Sequence, residues 1–381
     1  MLTVAVIGIG QTKIDEHWDK SLKELAGEAC LQAMHEAGTP HIDGLYVGNM
    51  MSSSANKQQQ LGAFIADWIG SKPAEAMRLE SVCSSGAAAF RAALMAVASG
   101  EVEIALAVGV EKMTDSPTAE ITSSLATAAD ADWEVDMGVS FVGLNALIMQ
   151  RYMHEYRWQH GDFADFSINA HANAMHNPNA RFHSPLTKEK YLNAGMICEP
   201  INLMDASPMG DGAAAVILVP YEKTTGKAIR VVGSAAATDT IALHDRKDPL
   251  WLKAAALSSK SAYAQAGITS AEIDVFEYHD AFTIMAALSL ECNGFADRGQ
   301  GPRLALEKEI TPHGRIPVAS MGGLKARGHP VGATGIYQII EVVQQLRGTA
   351  GACQIEGAHI GMTQNIGGSG SNIITHILRN D

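Results

Sequence analysis

Two stretches decide how this chain is read: Ser81-Val-Cys-Ser-Ser-Gly-Ala-Ala-Ala-Phe90 and, far downstream, Gly328-His-Pro-Val-Gly-Ala-Thr-Gly335. Each opens a helix, the first ending at Gly100 and the second at Gly348. What surrounds them repeats as well. Upstream of the first lie an apolar run at 4–10, a helical segment at 21–38 with Leu22, Leu25, Ala29 and Ala33 on one stripe, and a strand-like run at 43–48. Upstream of the second lie an apolar run at 229–234, a segment at 252–267 with Leu252, Ala256, Ser259 and Tyr263 on one stripe, and a run at 273–278. Each copy closes on a glycine turn and an apolar strand, at 210–219 and 367–378. Short apolar runs alternating with helical periods are the signature of α/β architecture, so the chain reads as two copies of one βα unit.

Between residues 114 and 208 the repeat is interrupted by a polar stretch containing His171, Asn173, His176, Asn177, Arg181 and His183. An excursion of that length in a compact protein is usually a lid or a binding segment. The expected organisation is therefore a first half at 1–113 and 209–227, an inserted loop domain at 114–208, and a second half at 228–381.

Composition bounds the function. At 381 residues the chain exceeds one domain of about 150 residues, and 47% hydrophobic against 18% charged residues excludes disorder. The 28 Lys and Arg against 41 Asp and Glu leave a net charge of −13, which disfavours nucleic acid and anionic membranes as partners. Charged residues inside the most apolar region, Arg91, Glu101 and Glu103, argue against a membrane span. Five cysteines with no C-x-x-C spacing suit neither a disulfide framework nor a zinc knuckle, so a reducing cytoplasm is expected. The start of the chain has no basic segment before its apolar run and does not read as a signal peptide. The histidines form no metal motif, and Gly8-Ile-Gly lacks the third glycine of a dinucleotide fingerprint.

Cys83 falls between a strand-like run at 77–82 and a helix with Phe90, Leu94 and Val97 on its inner stripe. A thiol at a helix N-terminus faces free N–H groups and the positive end of the dipole, which should lower its pKa. The alternative is an inert core cysteine. His329, before Pro330, occupies a place in the second half that mirrors Cys83 in the first; if the two helix starts meet, its imidazole can take the thiol proton. A capping or surface histidine is the plainer reading. His279 follows the run at 275–278, a strand end of the kind that carries ligand groups in α/β folds, or else it is a loop histidine paired with Asp280. The turn at Asn365-Ile-Gly-Gly-Ser-Gly370 offers successive N–H groups to an oxyanion.

These motifs, in this order and over nearly the whole chain, resemble the thiolase superfamily. The His279-Asp-Ala-Phe motif and the segment from 171 to 214 resemble its sterol-carrier-type and archaeal acetoacetyl-CoA thiolase branch. The resemblance implies a five-layer αβαβα fold of two similar halves, with the inserted loop domain covering acyl-CoA. It implies Cys83 as the acyl-accepting nucleophile, His329 as its activator, and His279 in one oxyanion hole where ordinary thiolases have an asparagine. The backbone N–H groups of Cys83 and Gly367 would form the other hole. It also implies CoA thioesters as substrates with no further cofactor or metal, a homodimer or homotetramer, and a small acyl-CoA-binding partner protein in some relatives.

One departure matters. Ordinary thiolases carry a second cysteine at the head of the last glycine turn, where this chain has Asn365, and sterol-carrier-type members can carry one where this chain has Ala281. The α-carbon base is then His279, His329 or an unplaced residue; Cys292 reads as a core thiol. Three functions stay open: an acetyl-CoA C-acyltransferase working through an acyl-Cys83 thioester, a partner-dependent aldolase or lyase on a CoA-linked side chain, and a non-catalytic acyl-CoA- or lipid-binding subunit. For the CoA phosphates the candidate cations are Arg181, Lys188 and Lys227, with Lys190, Lys223 and Arg230 nearby in sequence.

Overall fold

The computed structural model describes residues 3–224, 226 and 228–380. The first half contains β1 (Val4–Gln11), α1 (Leu22–Ala37), β2 (Gly44–Gly48), α2 (Leu61–Trp68), β3 (Glu75–Leu79), α3 (Ser85–Ser99) and β4 (Ala105–Glu111). Next come α4 (Thr118–Ala126), α5 (Phe141–Tyr156), α6 (Ala164–Ala174), α7 (Lys188–Leu192) and the small hairpin β5 (Met196–Cys198) and β6 (Ile201–Asn202). β7 (Gly212–Pro220) returns to the first half. The second half contains β8 (Ile229–Thr238), α8 (Lys253–Ala266), β9 (Val275–Glu277), α9 (Thr283–Cys292), α10 (Gly301–Leu306), α11 (Thr334–Arg347), β10 (Ile360–Gly367) and β11 (Asn372–Arg379).

Nine strands are hydrogen-bonded in the order β3-β2-β4-β7-β1-β8-β11-β10-β9. The order reads almost the same from either end, because β1 and β8 begin the two copies and pair antiparallel at Val4–Val231, Ala5–Arg230 and Val6–Ile229. The pseudo-twofold thus runs between the first strands of the copies.

Alternation along the strands builds the layers. On β7, Ala214, Val216 and Leu218 face a core shared with Phe90 and Val97 of α3 and with Ile336, Ile340 and Val343 of α11. Ala213, Ala215 and Ile217 face the other way, onto Leu25, Ala29 and Ala33 of α1 and Ile65 of α2. In the second half Met362, Ile366, Ile373 and Ile377 pack on α8 and α9. α3 and α11 are therefore the central layer, between the two half-sheets, with α1 and α2 outside one and α8 and α9 outside the other. Each large apolar side chain buried there contributes about 1.5–3 kcal/mol. The segment Val82–Ser99 is apolar and long enough to cross a membrane by composition, but half of it is buried, as a central packing helix requires.

Local sequence explains the ends of the elements. Ser21 and Glu24 form a reciprocal cap on α1, and Gly38 ends it in the left-handed conformation. Two details differ from the periodicity. The buried stripe of α8 is Ala254, Ala255, Ser258, Ser259 and Ala262, with Ala256 and Tyr263 only half-buried, because small residues let the helix lie close against β8 and β11. On α3, Leu94 is half-buried while Phe90 and Val97 are fully inside.

Candidate active site

Strand β3 ends at Leu79, earlier than the run at 77–82 suggests, and the chain turns sharply before α3. Val82 takes φ 52°, a left-handed conformation that a β-branched residue adopts only under constraint. Hydroxyl groups supply that constraint: Ser84 Oγ donates to the Ser81 carbonyl at 2.7 Å, Ser85 Oγ donates to the Val82 carbonyl at 2.6 Å, and the Ser81 N–H donates to Ser85 Oγ at 2.9 Å. The serines on both sides of Cys83 thus hold a tight elbow with the sulfur at its tip.

The opposing turn, residues 331–333, precedes α11 as the turn at 82–84 precedes α3. By that alignment the partner of Cys83 is Gly332, and His329 stands three residues upstream of the mirrored position rather than on it. Pro330 accordingly lies before the turn, not in the first turn of a helix. His329 still reaches the sulfur. The side-chain ligand atoms of Cys83, His279 and His329 all lie within 4.8 Å of one another, and all three residues are buried. The two imidazole rings are perpendicular, with centroids 5.1 Å apart.

Each ring is oriented from behind. His329 Nδ1 meets Thr334 Oγ1 at 2.6 Å, which leaves Nε2 for the thiol side. His279 Nδ1 lies 2.9 Å from Asn365 Nδ2, an amide donor, so the ring hydrogen of neutral His279 is on Nε2. The strand register enforces this neighbour: Glu277 pairs with Thr363, which places His279 beside Asn365 two residues on. A metal does not suit this set, because His279 presents a hydrogen rather than a lone pair to the other two groups.

The electrostatics overturn one expectation. Burial pushes the Cys83 thiol up to about 12, and the buried Glu111 carboxylate adds to the rise; the backbone N–H groups of Cys83 and Gly368 pull only weakly the other way. At neutral pH the group is a thiol, since desolvation outweighs the helix terminus. Burial lowers His279 to about 3, helped by the Arg327 guanidinium, and His329 falls well below its usual value from burial, His279 and Arg327. The resting state is a neutral thiol beside two neutral imidazoles, with His329 free to accept a proton. The Gly368 N–H joins that of Cys83 at the sulfur, and Gly367, expected to serve an oxyanion hole, holds the last ladder position opposite Asn372.

A cavity of about 420 Å³ reaches Cys83 and His329. The insertion supplies much of its apolar wall through Leu125, Phe141, Val142, Phe182 and Leu203, and Ala281 and Phe282 complete it. The insertion's lining residues come from α4, α5 and α6 and from the loops and short hairpin that follow, at Phe182, Ile197 and Leu203. His171, named in the polar excursion, lines the cavity, and so does Lys325, which sequence reasoning misses. Lys325 donates to the Ala206 carbonyl, and burial lowers it to about 8. Sequence reasoning also misses Glu111, which accepts from the N–H of Met50, Met51 and Gly332 at 2.9–3.0 Å and from Asn49 Nδ2 at 2.9 Å, tying the two halves together. Its signal is a lone acid ending an otherwise apolar strand.

Among the described residues the CoA-binding candidates Arg181 and Lys188 are not brought together. Arg181 Nη2 is 2.6 Å from Glu16 in a depression that shares Met113, Phe182, Pro208 and Met209 with the Cys83 cavity. Lys188 is exposed on α7, away from the lining, and Lys190 is exposed beside it. Lys223 is paired with Glu103, and Lys227 lies outside the described residues. Cys292 is buried on α9, its sulfur accepting the Leu252 N–H at 3.2 Å, as a core thiol.

Comparison with known proteins follows the same outline. A family model described as the thiolase N-terminal domain matches residues 4–222, and one described as thiolase C-terminal domain-like matches 235–380. An acetyl-CoA acetyltransferase of Methanothermobacter thermautotrophicus is 45% identical over 99% of this chain and 100% of its own length. Another, from Methanocaldococcus jannaschii, is 38% identical over 99% of each. Among solved structures, an Ltp2-ChsH2(DUF35) aldolase is similar with a TM-score of 0.88 and 25% identity, covering 100% of this chain and 98% of that one. With both halves matched and the cysteine elbow, the opposing histidine and the covering insertion in place, this chain belongs to the thiolase family.

Proposed function

We propose that this protein is an acetyl-CoA C-acetyltransferase that joins two acetyl-CoA molecules into acetoacetyl-CoA and CoA, or runs the reverse thiolysis, through an acetyl-Cys83 thioester. The observation that carries this reading is the convergence of Cys83, His279 and His329 within 4.8 Å, with Cys83 and His329 lining an apolar cavity. The acetyl-CoA acetyltransferase relative at 45% identity supports it. His329 removes the thiol proton as the sulfur attacks the thioester carbon, and the N–H groups of Cys83 and Gly368 receive the oxyanion. The reaction balances with CoA thioesters alone, so no cofactor is assigned. Cytoplasmic location and a homodimer or homotetramer belong to the same proposal; β3 ends the sheet with an open edge and an exposed Met77, a surface suited to a second copy.

The test is mass spectrometry after mixing with acetyl-CoA, together with an assay of acetoacetyl-CoA cleavage. We expect one acetyl adduct, mapped to Cys83, and loss of cleavage by about 10⁴-fold in Cys83→Ala. A second reading, a partner-dependent aldolase on a CoA-linked side chain, is favoured by the likeness to the Ltp2-ChsH2(DUF35) aldolase and by Asn365 and Ala281 where second cysteines could stand. No adduct on Cys83, with carbon–carbon cleavage only when a small acyl-CoA-binding partner is added, selects that reading.

A further inference from the structure

Claisen chemistry needs a base for the α-carbon of the second acyl-CoA, and the sequence leaves its identity open. The reacting cluster holds one thiol and two imidazoles. Other titratable groups lie outside that cluster. Both Glu111 oxygens accept N–H donors; Asp280 Oδ1 accepts the Leu324 N–H at 2.7 Å, while its Oδ2, without a hydrogen-bond partner, sits against Gly323. Lys325 donates to Ala206, and His171 stacks on Phe182 outside the cluster with its Nδ1 on the Ser184 carbonyl. The choice falls between His279 and His329, and their partners separate them.

We infer that Asn365 is a positioning residue that holds His279 as a hydrogen-bond donor, leaving His329 as the single base for both half-reactions. The Asn365 amide N–H occupies His279 Nδ1, so the hydrogen of the neutral ring points from Nε2 into the cluster, toward a thioester or enolate oxygen. Such a nitrogen has no lone pair with which to take an α-proton. His329 Nδ1 meets a hydroxyl instead of an amide, and Thr334 Oγ1 can accept from an Nδ1–H, which leaves the Nε2 lone pair to act as the base. An attacking α-carbon must come within about 3–3.5 Å of the acyl carbon borne by Cys83, which puts its hydrogen within reach of the same imidazole.

The proton cycle closes on one base. In the first half-reaction His329 takes the Cys83 proton, the sulfur bonds to the acetyl carbon, the bond from that carbon to the CoA sulfur breaks, and the proton passes to the departing CoA. In the second, His329 takes the α-proton of acetyl-CoA while His279 donates to the enolate oxygen. The C–H electron pair forms the new C–C bond, the acyl–Cys83 bond breaks, and the proton returns from His329 to the Cys83 thiolate.

This inference rests on the acetyl-Cys83 reading, and its test keeps the two apart by measuring Cys83 acetylation by mass spectrometry and acetoacetyl-CoA formation separately. An amide can replace a donor but not a base. His279→Asn should therefore retain at least a tenth of the parent condensation rate, while His279→Ala loses about 100-fold, in the range of a lost oxyanion donor. Asn365→Leu, of similar volume, should slow condensation about 30-fold and acetylation less than fivefold. In ¹⁵N spectra of histidine-labelled protein, the His279 Nδ1 signal should be that of an unprotonated nitrogen and should move in Asn365→Leu. Equal losses in His279→Asn and His279→Ala, or a protonated Nδ1 in the parent protein, overturn the inference. Absence of Cys83 acetylation in the parent protein defeats the underlying reading instead.

Discussion

The two halves carry the same framework and different chemistry. Asp43 Oδ2 accepts the N–H groups of Glu103 and Ile104 at 3.1 and 2.9 Å, and Asp274 Oδ2 accepts those of His359 and Ile360, both at 2.8 Å. Counting five residues onward from Asp43 and Asp274, and from Ile104 and Ile360, matches Gly48 with His279 and Gly109 with Asn365. In the first half the pair is two glycines facing each other across β2 and β4. A Cβ at Gly48 would meet the Ser85 carbonyl oxygen at 2.5 Å, and one at Gly109 would meet Ala333 Cα at 2.6 Å. Those positions are spent on letting the central elements approach. In the second half the same positions bear an imidazole that joins the sulfur's cluster and the amide that holds that imidazole from behind. A duplicated unit thus uses one copy to seat the nucleophile closely and the other to furnish the polar groups around it.

The largest effect expected from the second half tests its polar groups. His329→Ala should lower acetoacetyl-CoA cleavage by about 10³-fold, within the usual range for a lost general base. A loss below tenfold would show that the thiol needs no partner from the second half. Next comes the state of the thiol. With Cys83 pushed up to about 12 and His329 held well below its usual value, alkylation of Cys83 by iodoacetamide should rise about tenfold per pH unit from pH 7 to 10, without a plateau. A plateau near neutrality marks a thiolate–imidazolium pair and contradicts the burial argument.

Stability measurements probe the glycine half. Gly48→Ala and Gly109→Ala should each cost about 3 kcal/mol in urea unfolding, since backbone atoms stand where the new methyl must go. Values under 1 kcal/mol would mean that the close approach is not required. The smallest effect addresses the duplication itself: Asp43→Ala and Asp274→Ala each orphan two N–H groups and should cost similar amounts, about 1–2 kcal/mol. A large inequality between them breaks the equivalence on which the comparison stands.

Much of this architecture is legible in the order of the residues. The elbow shows in Ser81-Val-Cys-Ser-Ser-Gly because small and hydroxylated residues at that spacing serve a tight turn into a helix, and three of those serines hold it. The repeat shows because hydrophobic period survives duplication. The opposed histidine shows too, but three residues away from the mirrored position, because the extra chain between Gly328 and α11 leaves no periodic trace. The thiol pKa runs opposite to the motif's suggestion, since a helix terminus is a local feature whereas desolvation depends on everything packed around it. That Gly368 brings its N–H to the sulfur has the same kind of reason: which N–H in a glycine run faces inward is set by the turn, not by composition.

The sequence by itself determined the two βα copies, the insertion, and the cysteine and two histidines that converge, since each is written in local period or in short motifs. Only the tertiary structure decided that Asn365 stands behind His279, that Glu111 binds the halves together, and that Cys83 rests as a neutral thiol. Those outcomes depend on strand register and on exclusion of water, and neither exists until distant segments of the chain have packed together.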